Sequence, residues 1–177
     1  MRFNVAALLR SPIGTTRHEE VNAIVRVDDP EVEVIAPVRG TVRMIRDHAG
    51  VLVDGVLSTR VRQPCSRCLE PAETDVALAI AEHFHPTVRL PGGPPVSDDP
   101  LEALDVATAI DELHVLDLAE MVRQALLISV PLHPLCMPNC RGLCAQCGKR
   151  LSDAPCDCAP EPDARWDTLR ALLDSDG

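Results

Sequence analysis

Residues 32–44, VEVIAPVRGTVRM, show the clearest alternation of apolar and polar side chains in the chain. The apolar residues fall on the even positions: Val32, Val34, Ala36, Val38, Val42 and Met44. A period of two predicts a β-strand that buries one face and exposes the other. Pro37 and Gly40 interrupt the pattern, and they predict a sheet edge, a bulge or a break into two strands.

The flanking segments predict partner strands for this one. Residues 51–53 and 56–62 follow a turn at residues 47–50, and they pair naturally with residues 32–44. Residues 76–84 alternate again, although their alanine content leaves a helix open as the alternative. Shorter strands are predicted at residues 3–9 and 21–27. Together these segments predict an antiparallel β-meander.

A helix is predicted to follow the strands and to pack on the sheet. Asp117 and Glu120 have the spacing of a capping box, and apolar residues then recur at helical intervals until Pro131. Residues 86–105, rich in Pro, Gly and Asp, are predicted to form an acidic loop before it. A short terminal helix is predicted after Asp163. Its apolar face would carry Trp166, Leu169, Leu172 and Leu173.

Composition limits the class of protein. The 177 residues are 46% hydrophobic, which is typical of one globular domain, or of one domain with a small appendage. Only 2% are aromatic, which argues against RNA-binding modules that stack bases on aromatic rings. No apolar run reaches the roughly 18 residues of a membrane-spanning helix, and the first residues lack a signal-peptide pattern. The sequence therefore predicts a cytoplasmic protein without a membrane partner.

Charge is distributed unevenly along the chain. The formal net charge is -10, but residues 1–72 have ten Arg against nine acids, whereas residues 73–135 have two Arg against eleven acids. A uniformly basic nucleic-acid binder is excluded by this balance. A protein with one arginine-bearing face and one acidic flank is compatible with it. The acidic residues that could hold a basic protein are Asp98, Asp99, Glu102 and Asp105.

Eight cysteines dominate the chemistry of the chain. They are Cys65, Cys68, Cys136, Cys140, Cys144, Cys147, Cys156 and Cys158. Without a secretory signal, such closely spaced pairs are typical of metal ligands rather than of disulfides. Cys144 and Cys147 are followed at once by Gly148, which allows the tight turn of a zinc knuckle, and Cys156 and Cys158 complete a four-thiolate set. This set predicts a structural Zn²⁺ site.

The partner of the first pair is less defined by sequence. Cys65 and Cys68 could share a second Zn²⁺ with Cys136 and Cys140, although the two pairs lie far apart in the chain. Alternatively Cys136, Cys140, Cys144 and Cys147 hold one ion, His133 being a possible substitute ligand. Cys65 and Cys68 would then form a separate dithiol with a redox role. A thioredoxin-like dithiol should open a helix, whereas this pair lies between two predicted strands.

Four arginines on the predicted sheet form a candidate phosphate-binding surface. They are Arg39, Arg43, Arg60 and Arg62. A hairpin could gather them on one face, where guanidinium groups bind phosphate well. The alternative, which has equal weight, is a solvent-exposed strand face whose charges prevent aggregation. The sequence contains no nucleophile elbow, P-loop or dinucleotide-binding motif, so we expect no enzyme activity and no small-molecule substrate.

These features predict an α+β fold: an antiparallel β-meander packed by one long helix, with a Cys-rich zinc-binding C-terminal segment and a short terminal helix. The predicted division is an α+β domain over residues 1–135, with its acidic loop at 86–105. A zinc-binding tail with the terminal helix follows at residues 136–177. Two Zn²⁺ ions are expected.

The cysteine motifs and their surroundings resemble those of the YceD-like family, the large ribosomal RNA subunit accumulation proteins. The similarity is carried by Cys65-Ser66-Arg67-Cys68-Leu69, by Leu116-Asp117-Leu118 and Pro134-Leu135-Cys136, by the run from Cys140 to Gly148, and by Asp163, Arg165, Trp166 and Leu169. The resemblance implies a bacterial cytosolic factor needed for normal accumulation of 23S rRNA and for large-subunit assembly. Some members keep the first cysteine pair but lack the cluster matching residues 144–158, which implies two separable sites.

The resulting hypothesis is a non-enzymatic, zinc-stabilised factor for 23S rRNA accumulation and large ribosomal subunit assembly. Its expected partners are 23S rRNA or a pre-50S particle, and a basic large-subunit ribosomal protein. Arginines would face the rRNA and the acidic region would face the basic protein, since local charge complementarity steers association. The alternatives are a cytosolic redox protein that uses Cys65 and Cys68, and an acidic chaperone for a ribosomal protein without RNA contact.

Overall fold

The computed structural model describes residues 1–87, 106–159 and 164–166. Eight strands form one sheet, and two α-helices accompany it. The strands are β1 (Arg2–Asn4), β2 (Thr16–Ala23), β3 (Glu33–Val34), β4 (Val38–Arg46), β5 (Val51–Pro64), β6 (Pro71–Pro86), β7 (Ala109–Ile110) and β8 (Val115–Asp117). The helices are α1 (Ala6–Leu9) and α2 (Ala119–Ser129), and short 3-10 turns occupy Val106–Thr108 and Ala164–Trp166.

The strand order is β1-β8-β7-β6-β5-β4-β2, with β3 also paired to β5. Among the described strands, the short β6–β7 pairing is parallel and the other pairings are antiparallel. The sheet curls, and its two edge strands, β1 and β2, approach each other. Arg17 on β2 donates from Nη1 to the carbonyl oxygen of Asn4 on β1 at 2.9 Å. The antiparallel meander predicted from the alternating segments is confirmed in β4, β5 and β6.

The interruption predicted at Pro37 is confirmed as a break into two strands. β3 and β4 lie along the same edge of β5, with Val34 opposite Val61 and Arg39 opposite Ser58. Between them the chain remains attached to β5, because Thr59 Oγ1 donates to the carbonyl oxygen of Ala36 at 2.7 Å. The buried Thr59 hydroxyl thus satisfies a main-chain group where the regular ladder is interrupted.

The core lies on the concave side of the sheet and is aliphatic, as expected from a chain with few aromatic residues. Phe84 is the largest fully buried side chain, and the same cluster also contains Met44, Leu57 and Leu78. α2 closes this side with Met121, Val122 and Leu126. Each such side chain contributes about 1.5–3 kcal/mol on burial, which makes this interface the main stabilising contact of α2.

Two predictions about α2 are wrong. The helix has 11 residues and is not a long helix. Asp117 does not cap it either, because β8 runs directly into α2 and places the buried Leu118 at the N-cap position. Asp117 lies one residue outside, where its carboxylate accepts the N–H of Ala119 at 2.9 Å. Glu120 pairs with Arg123 instead of reaching back to the cap.

The N-terminal predictions also need correction. Residues 3–9 are not one strand: the chain leaves β1 at Asn4, whose side-chain oxygen accepts the N–H of Ala6 at 3.0 Å and starts α1. The next strand is Thr16–Ala23 and not residues 21–27, because its register is set by pairing with β4. The alanine-rich residues 76–84 are strand and belong to the longer β6.

Two predicted segments fall largely outside the described residues. They are the acidic loop at 86–105, beyond Thr87, and the terminal helix, beyond the turn at Ala164–Trp166. Among the helices in the described ranges, none combines the length and the apolar composition needed to cross a membrane.

Candidate metal centres

The first cysteine group joins the meander to the segment that follows α2. Cys65 and Cys68 lie in the turn between β5 and β6, and Cys136 and Cys140 lie beyond α2. All four Sγ atoms lie within 4.8 Å of one another, with Cys65–Cys140 at 3.9 Å and Cys68–Cys136 at 3.5 Å. A tetrahedral zinc site with Zn–S bonds of about 2.3 Å separates its sulfurs by about 3.8 Å. The group therefore has the donor set and the dimensions of a Cys₄ zinc site.

Hydrogen bonds bring the distant pair to the turn. The main-chain N–H and the side-chain hydroxyl of Ser66 both donate to the carbonyl oxygen of Pro134, at 2.9 and 3.1 Å. Arg67 Nη1 donates to the carbonyl oxygen of Cys140 at 2.8 Å. Cys65, Cys68 and Cys140 are buried. The group also spans the boundary predicted between residues 1–135 and 136–177, since it takes two thiols from each side.

The second group forms a separate and more exposed unit. Cys144, Cys147, Cys156 and Cys158 also have their Sγ atoms within 4.8 Å of one another, and Cys147 and Cys158 are exposed. A small hairpin holds Cys144 and Cys147, because the N–H of Cys144 donates to the carbonyl oxygen of Lys149 at 2.8 Å. The structure thus gathers the eight cysteines into the 65/68/136/140 and 144/147/156/158 sets. It does not form the alternative set of Cys136, Cys140, Cys144 and Cys147, and neither described set includes His133.

The two C-x2-C segments adopt the same turn. The residue after the second cysteine is left-handed in both, with φ of 63° at Leu69 and 70° at Gly148. Each donates its N–H to the carbonyl oxygen of the first cysteine, Leu69 to Cys65 at 3.0 Å and Gly148 to Cys144 at 2.9 Å. The glycine at position 148 indicates a left-handed residue already in the sequence. Leu69 has the same conformation, but leucine rarely adopts it, so the sequence does not indicate it.

Main-chain donors stabilise one thiolate in each group. Burial raises the pKa of Cys65, but N–H groups of Cys136, Arg67 and Cys68 outweigh it and lower the pKa to about 6. N–H groups of Cys147 and Gln146, with the Cys156 thiol, lower the pKa of Cys144 to about 6. A neighbouring thiol, Cys68 for Cys136 and Cys147 for Cys158, raises the pKa of each of these two residues to about 12. Four thiolates in such a space need a cation to neutralise them.

The two groups lie side by side. A Cβ atom at Gly142, whose φ is 76°, would stand 3.0 Å from the carbonyl oxygen of Arg67 in the first turn. Arg150 in the second unit forms an ion pair with Glu70 at the start of β6. Cys140 belongs to the first group and Cys144 to the second, so only three residues separate the two groups along the chain.

Replacement of Leu69 by glycine is expected to raise the free energy of unfolding by about 0.5–1 kcal/mol, because a left-handed φ costs leucine but not glycine. Leu69 is 68% exposed, so its side chain contributes little burial. Thermal unfolding of the metal-loaded protein measures the change. Leu132→Gly is the matched control: Leu132 is 90% exposed but has no positive φ, so this variant should lose stability. Equal losses in both variants would contradict the conformational argument.

The first pair does not have the setting of a redox dithiol. Cys65 and Cys68 lie in a turn between two strands and not at the start of a helix. Both thiols also face two further cysteines within 4.8 Å. This arrangement favours metal coordination over thiol–disulfide exchange.

The four candidate arginines lie on the outer face of the sheet, but most are paired with acids. Arg39 and Arg43 are on β4, and Arg60 and Arg62 are on β5. The ion pairs are Arg43–Asp54, Arg60–Asp75 with Nε–Oδ1 at 2.7 Å, and Arg62 with both Glu73 and Glu33. Arg39 has no ion-pair partner in the ranges that the structure describes.

The acidic partners of Arg60 and Arg62 could not be recognised from their sequence positions alone, because they belong to neighbouring strands. The β5–β6 register places Arg60 opposite Asp75 and Arg62 opposite Glu73. Counting from the turn at residues 65–70 could have predicted both pairs. Arg39, Arg60 and Arg62 also line an open groove of about 650 Å³. Glu73 and Asp75 are among its other lining residues. The acidic candidates Asp98, Asp99, Glu102 and Asp105 lie outside the described residues.

Comparison with known proteins identifies the family. The family model described as "Large ribosomal RNA subunit accumulation protein YceD" matches residues 53–173. An uncharacterized protein of Mycobacterium tuberculosis is 30% identical over 98% of this chain and 81% of its own length. A maize protein named "Large ribosomal RNA subunit accumulation protein YCED homolog 1, chloroplastic" is 26% identical over 76% of this chain and 53% of its own length. No solved structure is significantly similar. The matched span includes both cysteine groups, and the chain belongs to the YceD family.

Proposed function

We propose that this chain is a non-enzymatic, zinc-stabilised factor that supports 23S rRNA accumulation and assembly of the large ribosomal subunit. The observation that carries the proposal is that both cysteine groups of this YceD-family chain are sets of four thiols. Four thiolates close the coordination of Zn²⁺ and leave no position for a substrate. The ions, one in each group, therefore hold the fold, and the function belongs to the protein surface.

In this proposal residues 1–135 form the body of the protein, and residues 136–177 form a zinc-binding appendage anchored in it by Cys136 and Cys140. The proposed compartment is the cytoplasm, whose reducing environment keeps cysteine thiols available for metal binding. The partners are 23S rRNA or a pre-50S particle and a basic large-subunit ribosomal protein, with no membrane and no small-molecule substrate.

The proposed RNA-binding surface is the arginine-bearing outer face of β4 and β5. The Arg39 guanidinium beside the groove has no ion pair with any described residue. Arg60 and Arg62 offer guanidinium groups that a phosphate could share with their carboxylate partners. Phosphate must compete with these carboxylates, which favours a moderate and salt-sensitive affinity. Arg43 extends the same face toward Asp54.

The double variant Arg60→Gln/Arg62→Gln is expected to lower affinity for 23S rRNA fragments and to flatten the dependence of log affinity on log salt by about two units. The loss has two sources: two cations are removed, and Glu73 and Asp75 become unpaired negative charges. Filter binding across a salt series measures both quantities. Arg123→Gln is the matched control, since Arg123 forms a comparable ion pair with Glu120 on α2, away from this face. Equal effects of the two variants would refute the surface.

Metal content separates this proposal from the redox alternative. We expect two equivalents of zinc in the purified protein and thiols that resist alkylation until the metal is removed. A metal-free protein whose Cys65 and Cys68 are readily alkylated and cycle with a disulfide would instead support the redox function.

A further inference from the structure

β6 has a long edge along which no other described strand pairs. Its residues 71–84 pair with β5 on one side, from Pro64–Pro71 to Val51–Phe84. On its other side it pairs with β7 only through His85 and Pro86. Within residues 1–87, 106–159 and 164–166, no strand lies along the other side of residues 71–84. This leaves an edge of main-chain groups in the middle of the molecule.

The register shows which residues direct their main-chain groups to that edge. The carbonyl oxygen of Arg60 accepts from Ile35, so the even residues of β5 point away from β6. In an antiparallel ladder the N–H and C=O groups of one residue point to the same neighbouring strand, and those of the next residue point to the opposite side. The odd residues of β5 therefore bond to the even residues of β6, as in the pair Leu57–Leu78. Ala77, Ala79 and Ala81 must direct their N–H and C=O groups to the open edge.

An independent hydrogen bond agrees with this assignment. Thr87 continues the odd series beyond β6, and its N–H donates to the carbonyl oxygen of Ile110 at 3.0 Å, on the side of β7. The open edge is thus the continuation of the side on which β7 adds to β6. A further strand could occupy that side next to residues 73–83.

The middle of this edge lacks the devices that usually block strand addition. Natural edges carry Lys, Pro or bulges, whereas Ala77, Ala79 and Ala81 are small and exposed, and the β5–β6 register is unbroken. The even residues Val76 and Leu78 are buried in the core with α2. α2 therefore covers the inner face of β6, and in the middle of the edge, at residues 77–81, an incoming strand would meet small alanine side chains on the outer face.

Charge indicates the chemistry of the occupant. Residues 69–87 contain four acids and no Lys or Arg. They are Glu70, Glu73, Asp75 and Glu82, of which the first three form ion pairs with Arg150, Arg62 and Arg60. Glu82 is exposed and has no ion pair within the described residues. Beside the open residues 77–81, a second copy of the chain or an RNA phosphate would bring further negative charge to the Glu82 carboxylate. A basic polypeptide is the complementary partner.

We propose that an extended, lysine- or arginine-rich segment of a partner protein adds to β6 as a further strand, with main-chain hydrogen bonds to Ala77, Ala79 and Ala81. This inference rests on the proposed function, in which one partner is a basic ribosomal protein, and it specifies where and how that protein binds. Main-chain bonds supply affinity in such strand addition, and the alternate charged side chains supply selectivity.

The probe is a fluorescent peptide of about ten residues that alternates lysine and threonine, long enough to match the open edge. We expect saturable binding to the zinc-loaded full chain by anisotropy. Methylation of alternate peptide nitrogens should weaken binding about tenfold, because it removes donors without changing charge. Replacement of lysine by glutamate should abolish binding. Equal binding of the methylated peptide would overturn strand addition.

The matched protein variants are Ala79→Pro and Ala79→Thr. Proline removes an N–H that the β5 ladder does not use, so the fold should persist while peptide affinity falls about tenfold. Threonine keeps the N–H on the same face and should bind like the wild type. Unchanged affinity in Ala79→Pro, confirmed as folded by its unfolding midpoint, would overturn the proposal. So would a dimer by sedimentation that Ala79→Pro converts to monomer, since the edge would then bind a second copy.

The same samples separate this inference from the proposed function. Zinc content and 23S rRNA affinity are measured beside peptide binding. If the peptide does not bind while zinc content and 23S rRNA affinity are as expected, the strand-addition site is refuted and the proposed assembly function stands. If the wild-type chain binds neither zinc nor 23S rRNA, the proposed function itself is refuted.

Discussion

Replacement of Cys68 by serine is expected to lower the free energy of unfolding of the whole sheet by more than about 3 kcal/mol. Cys68 belongs to the buried group that links the β5–β6 turn to the segment beyond α2. A serine hydroxyl does not replace a zinc thiolate, so the ion and the link are lost together. Urea unfolding followed by circular dichroism measures the stability, and elemental analysis should show one zinc equivalent instead of two.

Cys147→Ser is the control for this prediction. Cys147 is an exposed member of the second group and has no part in joining β5 and β6 to α2. This variant should also lose one zinc equivalent, but its unfolding midpoint should stay close to that of the wild type. Limited proteolysis should then cut within residues 141–158. A Cys68→Ser protein with full metal and unchanged stability would refute the assignment, as would equal destabilisation by the two variants.

The meander could be predicted from sequence because side-chain alternation is a local property. Residues 32–44 alternate in a way that only a half-buried strand explains, and their partners follow after short turns. Local signals failed where tertiary contacts decide the element. Val5 donates its N–H to the carbonyl oxygen of His114, and this distant contact fixes the point where β1 ends and α1 begins.

The second cysteine group could be predicted and the first could only be suggested. The four thiols of the second group lie within 15 residues, and Gly148 marks the turn. The first group depends on Cys136 meeting Cys68 across the whole of β6 and α2, and Leu69 gives no sign of the left-handed turn. The ion pairs of the candidate arginines escaped prediction for a similar reason, since their acidic partners are neighbours only in the register of the sheet.

Gly50→Ala is expected to cost more than about 3 kcal/mol, although the sequence suggests only an ordinary turn at residues 47–50. Gly50 does not have a positive φ. Its role is spatial: a Cβ atom there would lie 2.0 Å from the carbonyl oxygen of Phe84 and 3.3 Å from the Cα atom of His85. Both are main-chain atoms of β6, so no side-chain rotation relieves the clash. The β4–β5 turn must move away from β6, which disrupts the pairing of Val51 with Phe84.

Gly148→Ala separates this spatial effect from a conformational one. Gly148 has a φ of 70°, but a Cβ atom there would meet nothing within 4 Å. Alanine at this position should therefore cost about 1 kcal/mol, the ordinary penalty of a left-handed residue, and zinc should remain bound. Urea unfolding of both variants gives the comparison. Similar small losses of stability in both variants would mean that the backbone of β6 shifts at Phe84 to accommodate the added Cβ atom. The close approach of the turn to β6 would then not be needed for the curl of the sheet. A large loss confined to Gly50→Ala would show that this approach holds β4, β5 and β6 together at the end opposite the first cysteine group.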